Sequence, residues 1–272
     1  MKVSYALQNL KLFERNREWL AAPTSLTSKL AYYPAIAASY IRLGIRHSKS
    51  IRYLGVAFHY DNPATPLNLQ NYPYEVGNKL LNHMAIQPEY VLDIGANLGQ
   101  FSATLAHLCP EAKIDAFEPN PDVFNILKQN ANDRIRCFNY ALGPTKADLE
   151  FYYEPNRSGI GSFFKENAGS EDKIEKIAVH VLNDPAEETK RHEYDLVKID
   201  VEGFELEVLG ALQSIQTKYL YIEVSGSGRR RNYSDSEIHD AIRATFGNFD
   251  IVYSSGVAAG KSTYELLLRF IQ

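Results

Sequence analysis

Apolar and polar positions follow two different rhythms along the chain. From Glu89 onward, short apolar runs alternate with stretches of helical spacing. Tyr90–Ile94 reads as a strand and Gly99–Leu108 as the helix after it. Lys113–Phe117 and Pro121–Ala131 repeat the pair, and Arg134–Asn139 is a third strand. Asp195–Asp200 and Lys218–Val224 read as further strands, followed by helices over Phe204–Ser214 and Asp235–Phe246. Phe249–Tyr253 and Tyr264–Phe270 close the series as an antiparallel pair. Continuous apolar strands alternating with helices predict a doubly wound, mostly parallel α/β sheet, with its ligands at the carboxyl ends of the strands.

Two regions break this rhythm. Leu149–Tyr153 and Ile177–Leu182 alternate like paired strands around a Gly-, Ser- and Asn-rich stretch at 156–169. They predict a hairpin inserted at about 147–182, with a loop over the ligand end of the sheet. Residues 1–86 read as a separate extension. Helical signals span Tyr5–Leu20 and Ser25–Arg46, a strand-like alternation covers Ile51–Tyr60, and Tyr74–Met84 reads as a short helix leading into the domain at 87–272. Between them, Asp61, Asn62, Pro63 and Pro66 read as a loop.

Composition narrows the function classes. The 272 residues are 45% hydrophobic, so a sizeable core is available. Lys plus Arg (29) against Asp plus Glu (33) gives a net charge of −4, which argues against nucleic acid as a partner. The cysteines, Cys109 and Cys137, have no metal-binding spacing and read as reduced thiols of a cytoplasmic protein. No apolar run reaches the roughly 18 residues of a membrane span. Leu30–His47 with Arg42, Arg46, Lys49 and Arg52 reads as a helix packed on protein, with weak contact to a membrane surface as the alternative.

The densest signal is Val91-Leu92-Asp93-Ile94-Gly95-Ala96-Asn97-Leu98-Gly99-Gln100-Phe101, an apolar strand that stops and turns into a helix. Gly95 permits the turn, Gly99 permits close approach, and N–H groups at the helix start are expected to meet ligand oxygens. The spacing is G-x-x-x-G rather than G-x-G-x-x-G, so the pyrophosphate fingerprint of a nicotinamide enzyme is incomplete. Asp93, just before the first glycine, would repel a pyrophosphate but suits the ammonium of a methionine moiety. Glu118, at the end of the next strand, stands where an acidic side chain accepts ribose hydroxyls.

The chain resembles the FkbM family of S-adenosylmethionine-dependent methyltransferases. The resemblance rests on VLDIGANLGQF, AFEPNP, NYALG at Asn139–Gly143, and the long block DLVKIDVEGFELEVL at Asp195–Leu209. It covers about two-thirds of the chain and leaves residues 1–86 aside. It implies a class I, Rossmann-like methyltransferase fold of seven strands. It further implies that Asp93, Gly95 and Glu118 touch S-adenosylmethionine, with Asn139 and Ala141 near the adenine. Ala96, Asn97, Gly99, Gln100, Phe101 and Pro119, in the same blocks, complete the expected cofactor set, together with Asp200.

At the catalytic end, period two puts Lys198, Asp200 and Glu202 on one face of their strand. A hydroxyl acceptor needs its proton removed, and Asp200 or Glu202 is the expected base, with Lys198 tuning them or binding substrate. The alternative is that Glu202 or Glu205 caps the following helix. Glu223, Arg229 and Arg230 are expected at the substrate, the arginines pairing with an acidic group on it. No metal is expected, because the strand ending Glu223-Val224-Ser225-Gly226 lacks the Asp-Asn pair of metal-dependent catechol methyltransferases. The expected reaction is O-methylation of a sugar, glycan or secondary metabolite. A lipid-linked substrate and a non-catalytic binding module are the competing readings; the oligomeric state stays open.

Overall fold

The structure is a computed structural model that describes residues 50–61, 65, 69, 72–155, 157–169, 171–225, 233–255 and 263–271. The two expected N-terminal helices and the Leu30–Arg52 surface segment, up to residue 49, lie outside the described residues, as do Arg229 and Arg230. Residues 50–272 make one compact unit.

Ser50–Tyr53 (β1) and Val56–His59 (β2) pair antiparallel, where the alternation of Ile51–Tyr60 predicts one strand. Leu54 and Gly55 both take positive φ, the two-residue reversal that matches the natural twist of a hairpin. The Tyr53 hydroxyl hydrogen-bonds with the Thr104 hydroxyl at 2.6 Å. Asn130 ties β2 down, accepting from the His59 N–H and donating to the His59 and Leu98 carbonyls.

The segment expected to be one helix from Tyr74 is a composite. A single α-turn at Tyr72–Tyr74 runs into a π-helix at Glu75–Leu80 and a 3₁₀ turn at Leu81–His83. Pro73 lacks a donor and Gly77 a side chain, so regular α-helical bonding has little hold here. Val76, Leu80 and Met84 pack into the same core as Val91, Phe101 and Leu105, so this part of the expected extension belongs to the domain core.

The remaining elements alternate as the pattern predicts. In chain order they are Tyr90–Ile94 (β3), Gln100–Leu108 (α1), Lys113–Phe117 (β4), Pro121–Asn130 (α2) and Ile135–Phe138 (β5). Ala141–Leu142 (β6), Ala147–Tyr153 (β7) and Glu175–Leu182 (β8) form a small separate sheet. Ala186–Thr189 (α3), Glu193–Ile199 (β9), Glu205–Ala211 (α4), Gln216–Val224 (β10), Asp235–Phe246 (α5), Phe249–Ser255 (β11) and Tyr264–Phe270 (β12) complete the chain. The main sheet has seven strands in the order β11-β12-β10-β9-β3-β4-β5. Neighbours from β5 to β10 are parallel, and β12 runs antiparallel to both β10 and β11. This is the expected doubly wound α/β architecture.

Both faces of the sheet are covered. Leu92, Ile94, Val197, Ile199 and Ile222 pack on one side, while Val91, Ile114, Leu196 and Leu267 pack on the other. That two-sided burial explains the unbroken apolar runs. Helix ends are set locally: Asn120 caps α2 with Pro121 at its first position, and Ser234 and Glu237 form a capping box on α5. The chain winds outward in opposite directions from β3 and β9, which are neighbours with Ile94 beside Ile199. A crevice forms where strand order reverses in this way.

Candidate active site

The turn after β3 is tightly bonded to the protein itself. The N–H groups of Gly95 and Ala96 both reach the Phe117 carbonyl, Asn97 N–H reaches Glu118 Oε2, Leu98 N–H reaches the Asn97 side chain, and Gly99 N–H reaches the Ala96 carbonyl. The N–H groups of residues 95–99 are thus engaged within the protein, ahead of the helix that starts at Gln100. Gly95 is also bare for an internal reason. At φ +76 its Cβ would stand 1.9 Å from the Asp200 carbonyl oxygen, because the ends of β3 and β9 meet here. Asn97 takes φ 52, a region that asparagine tolerates better than most residues. A Cβ on Gly99 would approach Leu127 of α2 to 2.8 Å, so this glycine serves helix packing.

Glu118 faces this turn from the end of β4. It is buried, with Oε2 accepting from Asn97 N–H at 3.0 Å and Oε1 from Asn120 N–H at 2.9 Å. Burial pushes its carboxyl up to about 7, with the two amides and Lys198 pulling the other way. A carboxylate offers about four acceptor positions, so two remain after these bonds. Asn139 fixes the backbone beyond β4, donating to the carbonyls of Glu118 (2.8 Å) and Pro119 (3.0 Å). Ala141 is buried nearby in chain order at β6.

Asp93 is placed differently from the expectation. It is fully buried, ion-paired to Lys198 at 3.1 Å and accepting from the Ser102 hydroxyl at 2.6 Å. It serves as the counter-ion of Lys198 rather than as an open ligand for an ammonium. Lys198 in turn is committed to Asp93, to Asp200 at 3.4 Å and to the Gly95 carbonyl at 3.0 Å. Burial alone would lower its pKa, but the flanking carboxylates outweigh that and raise it, so it stays charged. The lysine therefore holds Asp200 and the glycine turn, and it also stands in the wall of the cavity beside Asp200.

Asp200 and Glu202 do converge, although the pleat alone does not bring them together. β9 stops at Ile199, and Glu202 (φ 49) and Gly203 (φ 105) form a left-handed turn. The Glu202 carbonyl accepts from the Ser162 hydroxyl (2.8 Å) and the Asn167 amide (3.0 Å), both from the inserted loop. In the same loop a Cβ on Gly159 would lie 3.9 Å from the Asn97 amide nitrogen, so the insertion borders the glycine turn. Neither Glu202 nor Glu205 caps α4 through its side chain; Glu205, in the first turn of that helix, bonds to groups outside it. It is fully buried and accepts from Gly203 N–H, from Ser225 and from the Tyr233 hydroxyl, joining α4 to the end of β10.

Carboxylate oxygens of Asp200, Glu202 and Glu223 lie within 4.8 Å of one another. Burial pushes Glu223 up to about 9, helped by the negative charges of Asp200, Glu202 and Glu265. A cavity with about 500 Å³ of free space, part of it open to solvent, lies against Asp200, Glu223 and Glu265. Its walls include Phe101, Tyr221 and Tyr72, and Phe101 stacks on Tyr221 with ring centroids 6.5 Å apart. Glu75 enters from the π-helix, and burial raises its pKa.

Tyr72, Glu75, Tyr221 and Glu265 were not legible as site residues. Glu75 depends on a π-turn with no sequence signature. Glu265 depends on register, because it faces Glu223 directly across the β10–β12 pair. Two acidic residues opposed across a strand pair destabilise a sheet, and that is a signal visible only once the pairing is known.

The family model for the methyltransferase FkbM domain matches residues 93–250. The hexuronic acid methyltransferase AglP of Haloferax volcanii is 32% identical over 54% of this chain and 60% of that protein. The methyltransferase sdnD of Sordaria araneosa is 30% identical over 44% and 59%, so the chain matches about three-fifths of either relative. The 2-O-methyltransferase NoeI of Sinorhizobium fredii is 27% identical over 55% of this chain and 65% of that one. Among solved structures, an FkbM methyltransferase from Methylobacillus flagellatus is similar with a TM-score of 0.48 at 15% identity, covering 74% of this chain and 50% of that one. With its model spanning the β3 turn, Glu118 and the β9 block in one stretch, the chain belongs to the FkbM methyltransferase family.

Proposed function

We propose that this chain is an S-adenosylmethionine-dependent O-methyltransferase acting on a hydroxyl of a sugar, glycan or secondary metabolite. The observation that carries the reading is a buried carboxylate, Glu118, bonded into the glycine turn after β3, while Asp200 at the neighbouring strand end lines an acidic cavity. The names of the relatives AglP and NoeI support a sugar-type acceptor.

The donor set fits the cofactor. Glu118 has acceptor positions left for both hydroxyls of a ribose, and the Gly95–Asn97 turn and Asn139 would border the rest of the nucleoside. When bound, S-adenosylmethionine supplies an electrophilic methyl group. The chain's own task is to place a hydroxyl oxygen about 3 Å from that carbon and to accept its proton. Asp200, on the cavity wall and held by Lys198, is the base in this reading. Lys198 holds it at 3.4 Å, and Glu223 is a carboxylic acid near neutral pH that can donate a hydrogen bond to the acceptor. Glu202 stands beside them on a turn braced by the inserted loop.

Incubation with S-adenosylmethionine and a panel of sugars and hydroxylated metabolites, read by mass spectrometry, tests the proposal. The expected result is a product carrying one added methyl group, lost in Asp200→Asn. No product from any acceptor, together with no binding of S-adenosylhomocysteine, would sink it.

A further inference from the structure

The cavity beside Asp200 also carries information about the charge of its occupant. Four of its lining residues are acidic, and they come from four separate elements: Glu75 from the π-helix, Asp200 after β9, Glu223 from β10 and Glu265 from β12. The cations at the cavity, Lys198 in its wall and Lys79 beside it, are already paired with carboxylates. Lys198 is shared between Asp93 and Asp200, and Lys79 bridges Glu75 (3.7 Å) and Glu265 (3.1 Å). The aromatic walls rule out a merely solvated acidic surface. Tyr72, Phe101 and Tyr221 make a pocket that can hold a ring or an alkyl frame, and burial together with the acidic neighbours raises Tyr72 well above the ordinary phenol range.

An incoming carboxylate would add to the repulsion that already holds a proton on Glu223. An incoming ammonium would relieve it, in a partly dry site where charge interactions are strong. Glu223 and Glu265, opposed across a strand pair, are costly to the empty fold in the same way. We propose that the acceptor bears a protonated amine beside the hydroxyl that is methylated, as an amino sugar or amino alcohol does, and that Glu75 is the residue that selects for it. This rests on the methyltransferase reading and departs from the acidic acceptor that Arg229 and Arg230 suggested in the sequence.

Calorimetry on the full chain saturated with S-adenosylhomocysteine tests it, using two sets of probes that share a frame and differ in charge. The sets are glucosamine, glucose and glucuronate, and ethanolamine, ethylene glycol and glycolate. The expected order in both sets is amine, then neutral, then acid, with the amine about tenfold tighter than the acid, roughly one charge interaction's worth. Glu75→Gln should remove most of the amine's advantage while the neutral probe binds as before, a pattern that simple loss of structure would not give. An acid or a neutral compound binding best in either set, or an amine that fails to bind, overturns the proposal. Failure of S-adenosylhomocysteine itself to bind is a separate result that overturns the cofactor reading and this inference with it.

Discussion

Glu118 lies between two backbone amides, ionises near neutral pH and faces the turn that opens the crevice. If its ionised form grips the ribose, cofactor binding must strip a proton from it below pH 7. Affinity for S-adenosylhomocysteine should then weaken about tenfold between pH 8 and pH 6. Titration calorimetry at the two pH values reads this directly, and Glu118→Gln should flatten the dependence. The same carboxyl shapes stability in the ligand-free protein. The native state holds protons on Glu118 and Glu223, up to about 7 and 9, that the unfolded chain releases near 4.5. The unfolded state therefore binds fewer protons in this window, and stability should fall as pH rises from about 4.5 to 9, seen as a falling urea midpoint. At the acceptor end, Asp200→Asn should leave cofactor affinity within about twofold and lower turnover by 10²-fold or more, roughly what removing a general base costs. Equal turnover in the variant would take Asp200 out of the chemistry.

Among the elements, β3 with its turn and β4 were readable from the chain because local rules decide them. Unbroken apolar runs mark strands buried on both faces, and Gly95 marks the point where the chain must reverse. The reason for Gly95 was not readable, since it lies in the Asp200 carbonyl, a contact between segments far apart in sequence. Gly95→Ala should therefore destabilise the domain by about 2–4 kcal/mol through left-handed strain and overpacking, measured by urea unfolding. A cost under about 0.5 kcal/mol would mean that the close approach of β3 and β9 is misjudged. The π-helix and the β10–β12 register show the opposite limit. Glu75 and Glu265 reach the cavity through a nonstandard turn and a long-range pairing, neither of which leaves a periodic trace. Burial likewise turned Asp93, expected at the ligand, into the counter-ion of Lys198.

At the scale of the whole molecule, the sheet order puts the ends of β3 and β9 side by side, where strand order reverses. Among the described residues, no helix is long and apolar enough to cross a membrane. With Glu223 protonated near neutral pH, the cluster of Asp200, Glu202 and Glu223 lacks the full charge of a divalent-cation site, so chelation with EDTA should leave methyl transfer unchanged. The most direct test of the central claim is a crystal structure with S-adenosylhomocysteine bound. Both ribose hydroxyls are expected on the Glu118 carboxylate, with the sulfur facing the cavity beside Asp200 and Glu223. A nucleoside bound elsewhere, or a sulfur turned away from those carboxylates, would contradict that claim.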